Sequence, residues 1–293
     1  VRAAPGSFVP RAELSALAPI DRHHVRVVEA IEHTRGGVLV SHHAAAAVWG
    51  INILGTWPTL IDATVSGRGG GRSSGGFRRR VVRLDDSEAI PWRGHLLTTP
   101  AQTALDLARI CALTPAVVSL DQALWQRRRG GPLTRLEDVQ GVLDRNARSA
   151  PRRGDARAAA ALKVATGLSD SVRESQSRVL LRRLGFPAPE LQHEFVLARG
   201  DRARVDFWWE DADQVGEFDG VGKYIDPELR AGRSPEEVLI AEKDRGDALR
   251  RRVRAVSRWR TPDLEDPRRL WDILTGDGLT STRPRPPRGL RFE

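Results

Sequence analysis

The sequence predicts an α/β (α+β) protein, because helix-like and strand-like segments occur in both halves of the chain. The stretch 100–126 places apolar residues at helical spacing, whereas 202–220 alternates apolar and polar residues as strands do. Hydrophobic residues make up 40% of the chain, which is typical of a globular protein with a packed core. We therefore expect mixed helix/strand domains rather than an all-helical or all-strand fold.

Length and local composition predict two domains and a tail. The 293 residues are enough for two domains that each bury a core. The polar stretch 145–155 contains Pro and Gly and is typical of an exposed connection. Past Thr275, prolines and arginines replace the apolar pattern. We expect an amino-terminal domain over 1–160, a second domain over 168–275, and a disordered basic tail over 276–293.

Helices and strands alternate in the amino-terminal region. Helices are expected over 24–32, 41–49, 100–113 and 115–126, and strands over 60–65 and 77–84. Ser41 and Thr99 are placed to cap the second and third helices, and Pro100 suits a first helical turn. Ser41 and His42 lack a convincing third member for a hydrolytic triad, so an N-cap is the favoured interpretation of Ser41.

A loop rich in Gly, Ser and Arg, GRGGGRSSGG, precedes the basic segment FRRRVVRL. Flexible glycines let cationic side chains settle on phosphates, so this part of the chain is a candidate contact with a DNA backbone. A solvated hairpin tip beside a basic edge strand is the alternative interpretation. The glycines do not form a nucleotide-binding loop, since no GK[ST] and no strand-to-helix setting accompany them.

The charge balance indicates a nucleic-acid partner. Lys and Arg number 47 against 38 Asp and Glu, which gives a formal net charge of +9. Nearly all of the cations are arginines, whose guanidinium groups suit bidentate phosphate contacts. DNA is therefore the expected partner, although a GC-rich genome would also raise the arginine content. The single cysteine, Cys111, excludes an intrachain disulfide and a multi-cysteine zinc site.

The sequence predicts a cytoplasmic protein without a membrane partner. The amino terminus lacks an apolar segment behind a basic start. The charge-free run 44–61 approaches the length of a membrane span, but Gly50, Gly55 and Pro58 interrupt it. A buried helix followed by a loop is the better interpretation of this run.

Acidic residues concentrate in the stretch 202–223. Strand alternation points Asp206 away from Val205 and Phe207, and it places Glu217 and Asp219 together on one face of the next strand. The short polar connection EDAD predicts a hairpin, whose antiparallel pairing brings Asp206 close to the other two acids.

Carboxylates at such close range need a cation. Asp206, Glu217 and Asp219 offer only oxygen ligands, which suit Mg²⁺ or Mn²⁺ rather than Zn²⁺. Such an ion can polarise a phosphoryl oxygen and activate a water, while Lys223 or Lys243 would neutralise developing charge. Lys243 also forms an i,i+4 pair with an aspartate, so Lys223 is the preferred candidate.

The segments RESQSRVLLRRLGFPAPELQHEF, RVDF, GEFDGVGKY and AEKDRGDALRRRVRAVSRW lie in this order within 173–259. They resemble the actinobacterial endonuclease-like domain related to very-short-patch-repair endonucleases, of the PD-(D/E)XK superfamily. The resemblance implies a helix followed by a mixed sheet with flanking helices, and a metal-dependent DNA endonuclease.

The resemblance also implies roles for individual residues. Glu174 matches the acid of the first core helix, Asp206 the acid of the second strand, and Glu217 the first acid of the following motif. Asp219 stands where the superfamily usually has lysine, so Lys223 is expected to substitute. Taken singly, each acid is better explained as a solvated or ion-paired structural group.

Three amino-terminal segments, VLVSHHAAAAVWGI, LLTTPAQTALDLARI and AVVSLDQALWQ, look like the core of proteins related to the abortive-infection type IV antitoxins. The resemblance implies transcriptional autoregulation and a winged-helix unit ahead of this core. Only GSFVPRAEL, similar to the end of the wing, stands there. The amino-terminal domain is therefore expected to recognise DNA or a partner protein.

Three functional hypotheses are compatible with these observations. The first is a metal-dependent DNA endonuclease that hydrolyses phosphodiester bonds. The alternative is a non-enzymatic DNA-binding regulator or antitoxin-like protein with an inactive nuclease fold. An interaction scaffold without DNA affinity is a third possibility.

Overall fold

The computed structural model describes residues 2–4, 7–8, 10–34, 37–65, 75–81, 88–149, 152–197, 200, 202–220 and 235–290. The chain divides into two compact units, Val1–Val172 and Arg173–Glu293. Each unit combines helices with a mixed sheet, which confirms the α/β (α+β) fold class. The stretch 145–155, predicted as a connection, lies inside the first unit. A helix that bridges a bilayer is absent from the described residues.

The first unit packs helices on a mixed sheet. In chain order its elements are β1 (Arg2–Ala4), β2 (Ser7–Phe8), α1 (Arg11–Ala16), α2 (Pro19–Glu32), β3 (Leu39–Val40), α3 (His42–Trp49), β4 (Ile61–Val65), β5 (Phe77–Val81), β6 (Ala89–Trp92), β7 (His95–Thr98), α4 (Pro100–Ile110), α5 (Leu113–Leu124), α6 (Leu136–Ser149) and α7 (Asp155–Leu162). The main sheet has the order β5-β4-β3-β7-β6, and its core includes Val27, Ile31 and Ile61.

The helix starts of this unit partly follow the sequence predictions. Thr99 caps α4, since its side chain accepts a hydrogen bond from the Gln102 backbone N–H, and Pro100 is the first helical residue. Ser41 occupies the N-cap position of α3, but its side chain does not cap the helix. The Ser41 cap was therefore predicted wrongly.

The second unit is a sheet between two layers of helices. Its elements are α8 (Val172–Arg183), β8 (Glu190–Val196), β9 (Arg202–Trp209), β10 (Gln214–Phe218), α9 (Pro235–Arg250), β11 (Ala255–Trp259), α10 (Thr261–Glu265) and α11 (Pro267–Gly276). The strand order is β11-β10-β9-β8. β8, β9 and β10 pair antiparallel, whereas β10 and β11 are parallel and are joined by a crossover that contains α9.

Each face of this sheet has its own core. Phe207, Trp209 and Trp259 pack with residues of α8 and α11 on one face, whereas Val205 and Trp208 pack with α9 and the turn after it on the other. Val205 and Phe207 were predicted to share a face, and that prediction is wrong.

A local irregularity reverses the alternation. β8 and β9 pair His193 with Val205 and Leu191 with Phe207, but Gln192 and Asp206 between them do not pair regularly. Gln192 has φ 58°, which lies in the left-handed region. Relative to the side chains before this point, those after it therefore lie on the opposite face of the sheet from the one that strict alternation predicts.

The predicted disordered tail is ordered over its described part. Leu279 is buried in the core that also holds Trp259. Beyond it, the Thr282 N–H donates to the Gly185 carbonyl at 2.9 Å, and Ser281 Oγ donates to the Leu184 carbonyl at 2.6 Å. Backbone groups at the end of α8 thus hold residues 281 and 282. Hydrogen bonds of this kind produce no apolar periodicity, so the sequence pattern could not predict them.

Gly216 of β10 lies between two tryptophans, and we predict that Gly216→Ala destabilises the second unit. An added Cβ would lie 2.6 Å from Trp259 Cη2 and 2.9 Å from Trp209 Cζ3. Overpacking of this kind lowers the free energy of unfolding by about 1–3 kcal/mol. Urea unfolding followed by circular dichroism measures the loss.

The matched control is Gly276→Ala at the end of α11, where an added Cβ meets nothing within 4 Å. We expect this variant to unfold at the same urea concentration as the parent or a slightly higher one, because alanine reduces the freedom of the unfolded chain. Equal stability of Gly216→Ala and Gly276→Ala would contradict the packing described for Gly216.

Candidate active site

The predicted hairpin is present and brings two of the predicted acids together. β9 and β10 pair antiparallel up to Gly216 opposite Phe207. By the same register Asp206 stands opposite Glu217, at the point where the regular ladder ends. There Asp206 Oδ2 accepts a hydrogen bond from the Phe218 backbone N–H at 2.8 Å. The Asp206 carboxylate thus takes the place of a strand carbonyl.

Glu217 is held by two arginines. Arg245 Nη2 of α9 lies 2.8 Å from Oε1, while Arg258 Nη2 and Nε lie 2.9 and 3.0 Å from Oε2. Arg258 is the register partner of Glu217 on the parallel strand β11. Arg245 is fixed further by a 2.8 Å hydrogen bond from Nη1 to the Arg204 carbonyl. Both oxygens of Glu217 therefore face guanidinium groups.

Glu174 approaches the site indirectly. Its side chain lies near the start of α8 and is buried, and its Oε2 accepts a hydrogen bond from Gln192 Nε2 at 2.8 Å. Gln192 is the residue that stands opposite Asp206 where β8 and β9 are irregular. The amide thus links the helix acid to β8, the neighbour of the strand that carries Asp206, and nothing in the sequence pattern pointed to Gln192.

The remaining predicted residues have other partners, are exposed, or lie outside the described residues. Asp219 follows β10, and its Oδ2 accepts hydrogen bonds from Arg260 Nη2 at 2.8 Å and Nε at 3.2 Å. Lys223 lies outside the described residues. Lys243 is described on α9 and is exposed.

The fit of the acids to a divalent metal ion depends on which of their oxygens are available. Their oxygen ligands have the right chemistry for Mg²⁺ or Mn²⁺. However, both oxygens of Glu217 already contact guanidinium groups, and Asp219 is bound to Arg260. In the part of the chain that is described, no group of three or more His, Cys, Asp or Glu residues is arranged to hold a metal. The arrangement does not fit a metal shared by Asp206, Glu217 and Asp219.

A second polar group lies in the first unit around Asp62 of β4, which is fully buried. His43 Nδ1 lies 2.9 Å from Asp62 Oδ2, and Arg80 Nε donates to Oδ1 at 2.8 Å. Burial alone would raise the pKa of Asp62, but the His43 hydrogen bond and the Arg80 charge outweigh it and lower that pKa to about 2. Arg80, part of the predicted DNA contact, is thus engaged by a buried carboxylate.

Ser41 and His42 do not form a hydrolytic triad. Ser41 Oγ lies 2.9 Å from His42 Nδ1, and Asp106 Oδ2 lies 3.7 Å from the same nitrogen. The sequence pattern did not indicate Asp106. A triad needs the hydroxyl and the carboxylate on different ring nitrogens. Ser41 Oγ also accepts a hydrogen bond from Thr64, so this group ties α3 to β4.

Two uncharacterized mycobacterial proteins are similar to about half of this chain. The uncharacterized proteins MT2308 and Rv2248 of Mycobacterium tuberculosis are each 33% identical to this chain over 134 residues, which is 46% of this chain and 46% of the relative. The match therefore spans about half the length of the curated relatives. No protein-family model matches the chain, and no solved structure matches it significantly.

His23 of α2 is a buried histidine near Asp62. Its ring stacks on Trp57 with centroids 5.0 Å apart, and neither ring nitrogen has a hydrogen-bond partner among the described residues. Burial lowers the pKa of His23 to about 4, with further lowering by Arg26 and His43 and an opposite effect from Asp62. The folded protein therefore holds this ring neutral.

We predict that acid destabilises the first unit through His23. Because the folded pKa lies below the unfolded one, the stability contribution is complete above pH 6.5 and is lost as the pH falls toward 4. Between pH 7 and pH 5 the loss is about 2 kcal/mol in the free energy of unfolding. His23→Phe should weaken this pH dependence in urea unfolding, whereas the exposed His33→Gln should leave it unchanged. An identical pH dependence of parent and His23→Phe would refute the prediction.

Proposed function

We propose that this chain is a non-enzymatic DNA-binding protein of regulator or antitoxin type, whose second unit has a nuclease-like fold. The observation that carries the proposal is the pair of arginines on Glu217. Hydrolysis by the predicted mechanism needs a carboxylate that is available to a metal. In this chain, cations of the protein itself occupy that carboxylate.

Energetics supports an arginine-bound Glu217. The Glu217 side chain is only 11% exposed, so its charge is poorly solvated without a partner. Leaving one member of a buried ion pair unpaired costs about 3–5 kcal/mol. Mg²⁺ gives up its bound waters reluctantly, and here it would also have to displace two guanidinium groups that already compensate the charge of Glu217.

Charge and exposure support DNA as the ligand. The chain carries a formal net charge of +9, supplied mostly by arginine. Arg258 and Arg260, on β11 and just after it, have side chains that are 41% and 66% exposed. Exposed guanidinium groups in a row suit contacts with the phosphates of a DNA backbone. The first unit would recognise DNA or a partner protein.

A metal-dependent DNA endonuclease is the second candidate, and the positions of the acids favour it. Asp206 and Glu217 stand opposite each other in register, and Glu174 reaches the same region through Gln192. The cofactor would be Mg²⁺ or Mn²⁺, whose chemistry is to polarise a phosphoryl oxygen and acidify a bound water. This activity requires the arginines to leave Glu217.

One experiment with two measurements separates the candidates. We predict that the purified chain retards a duplex DNA in EDTA and does not nick supercoiled plasmid in Mg²⁺ or Mn²⁺, because guanidinium groups rather than a metal meet Glu217. Gel retardation and plasmid nicking measure the two activities.

Three variants show whether any nicking comes from the predicted site. The endonuclease would replace the proposal if the parent nicks plasmid and if Asp206→Ala and Glu217→Ala abolish the nicking. In that case Asp211→Ala, in the exposed hairpin turn, should still nick plasmid. Neither retardation nor nicking would favour an interaction scaffold without DNA affinity. Retardation without nicking is the outcome expected of the regulator.

A further inference from the structure

We infer that Arg245 and Arg258 form the phosphate-binding pair of the second unit, and that Glu217 is the internal anion that this pair holds while no DNA is bound. The inference rests on the proposed DNA binding and names the residues of that site. It assigns Glu217 the role of a competitor for the arginines rather than that of a metal ligand.

The geometry of the pair is that of an anion-binding site. Two guanidinium groups from different elements converge on one carboxylate, with nitrogen–oxygen distances of 2.8 Å from Arg245 and 2.9 and 3.0 Å from Arg258. Phosphate presents oxygens to a guanidinium with the same charge and similar spacing. A group that binds this carboxylate is therefore built to bind a phosphodiester.

The pair has anchors besides Glu217: a side-chain hydrogen bond for Arg245 and backbone pairing for Arg258. Arg245 donates a second hydrogen bond to the Arg204 carbonyl, and the parallel pairing of β10 with β11 fixes the backbone of Arg258. Such anchoring reduces the entropy lost when a ligand binds. The guanidinium group of Arg245 therefore keeps one of its hydrogen bonds when a phosphate replaces the carboxylate.

Exposure sets the direction from which a ligand approaches. The side chains of Arg245 and Arg258 are 34% and 41% exposed, whereas that of Glu217 is 11% exposed. A DNA phosphate arriving from solvent meets the guanidinium groups before it meets the carboxylate. Arg260, two residues after Arg258, is 66% exposed and extends the cationic row.

Competition between Glu217 and DNA for the arginines predicts a result that a purely structural ion pair does not. If Glu217 holds the arginines away from DNA, Glu217→Gln removes its charge at nearly constant shape and leaves the guanidinium groups available for phosphate. DNA binding should then become tighter. If the three residues only stabilise the fold, the same variant leaves DNA affinity unchanged or weakens it through loss of folded protein.

The test is fluorescence anisotropy of a labelled duplex DNA in EDTA, measured over a series of salt concentrations with the full chain. We expect Glu217→Gln to bind several-fold more tightly than the parent. Arg245→Ala and Arg258→Ala should each bind about fivefold or more weakly, with a salt slope reduced by about 0.9 for each lost phosphate contact. Circular dichroism verifies that each variant is folded.

The control is Arg269→Ala in the same unit. Arg269 Nε lies 3.3 Å from Asp263 Oδ1 and its side chain is 58% exposed, so it is also an ion-paired surface arginine, but it belongs to α11. Its variant should bind DNA within about twofold of the parent, as expected for a charge outside the phosphate contacts.

Two results would overturn the inference. If the parent binds DNA while Glu217→Gln and the folded arginine variants match it in affinity and salt slope, the pair is structural, and the proposed DNA binding stands without it. If the parent does not bind DNA, the proposed function itself fails. If Arg258→Ala does not fold, Arg258→Lys replaces it in the test, because lysine retains the charge without the planar guanidinium group. If Arg258→Lys and Glu217→Gln then both bind DNA as tightly as the parent, the pair does not bind phosphate.

Discussion

The second unit depends on a carboxylate buried on a sheet face that a helix covers. Glu217 needs cations there, and they come from two elements that the crossover brings back to the sheet. The register of β11 is decisive, because a slip of one residue would turn Trp259 out of its core and Arg258 into it. The ion pairs and the apolar packing thus specify the same register.

The sequence predicted the parts of this structure that depend on local pattern. The fold class, the hairpin between β9 and β10 and the start of α4 at Thr99 follow from side-chain periodicity and from residues that favour turns and caps. The neighbourhood of Asp206 and Glu217 also follows, because antiparallel pairing after a short turn leaves little freedom in register.

The parts that escaped prediction depend on contacts between distant residues. The faces of Val205 and Phe207 depend on the irregular pairing at Gln192, which no period of two can reveal. The partners of Glu217 come from 28 and 41 residues further along the chain, and any of the many arginines had the right charge. The described tail residues are held by backbone and hydroxyl hydrogen bonds, which leave no hydrophobic signal.

The order of the acids does not by itself distinguish a nuclease from a binding protein, because two of them also have contacts that require no metal. Asp206 satisfies the Phe218 N–H, and Glu174 binds Gln192. Arg245 and Arg258 bear on this choice, because they contact the acid that a metal would need. Two unit charges of like sign about 4 Å apart repel by about 4 kcal/mol at an effective dielectric constant of about 20. Arg245 and Arg258 contact both oxygens of Glu217, so the charge of that carboxylate is compensated without a metal ion, and their own side chains remain 34% and 41% exposed.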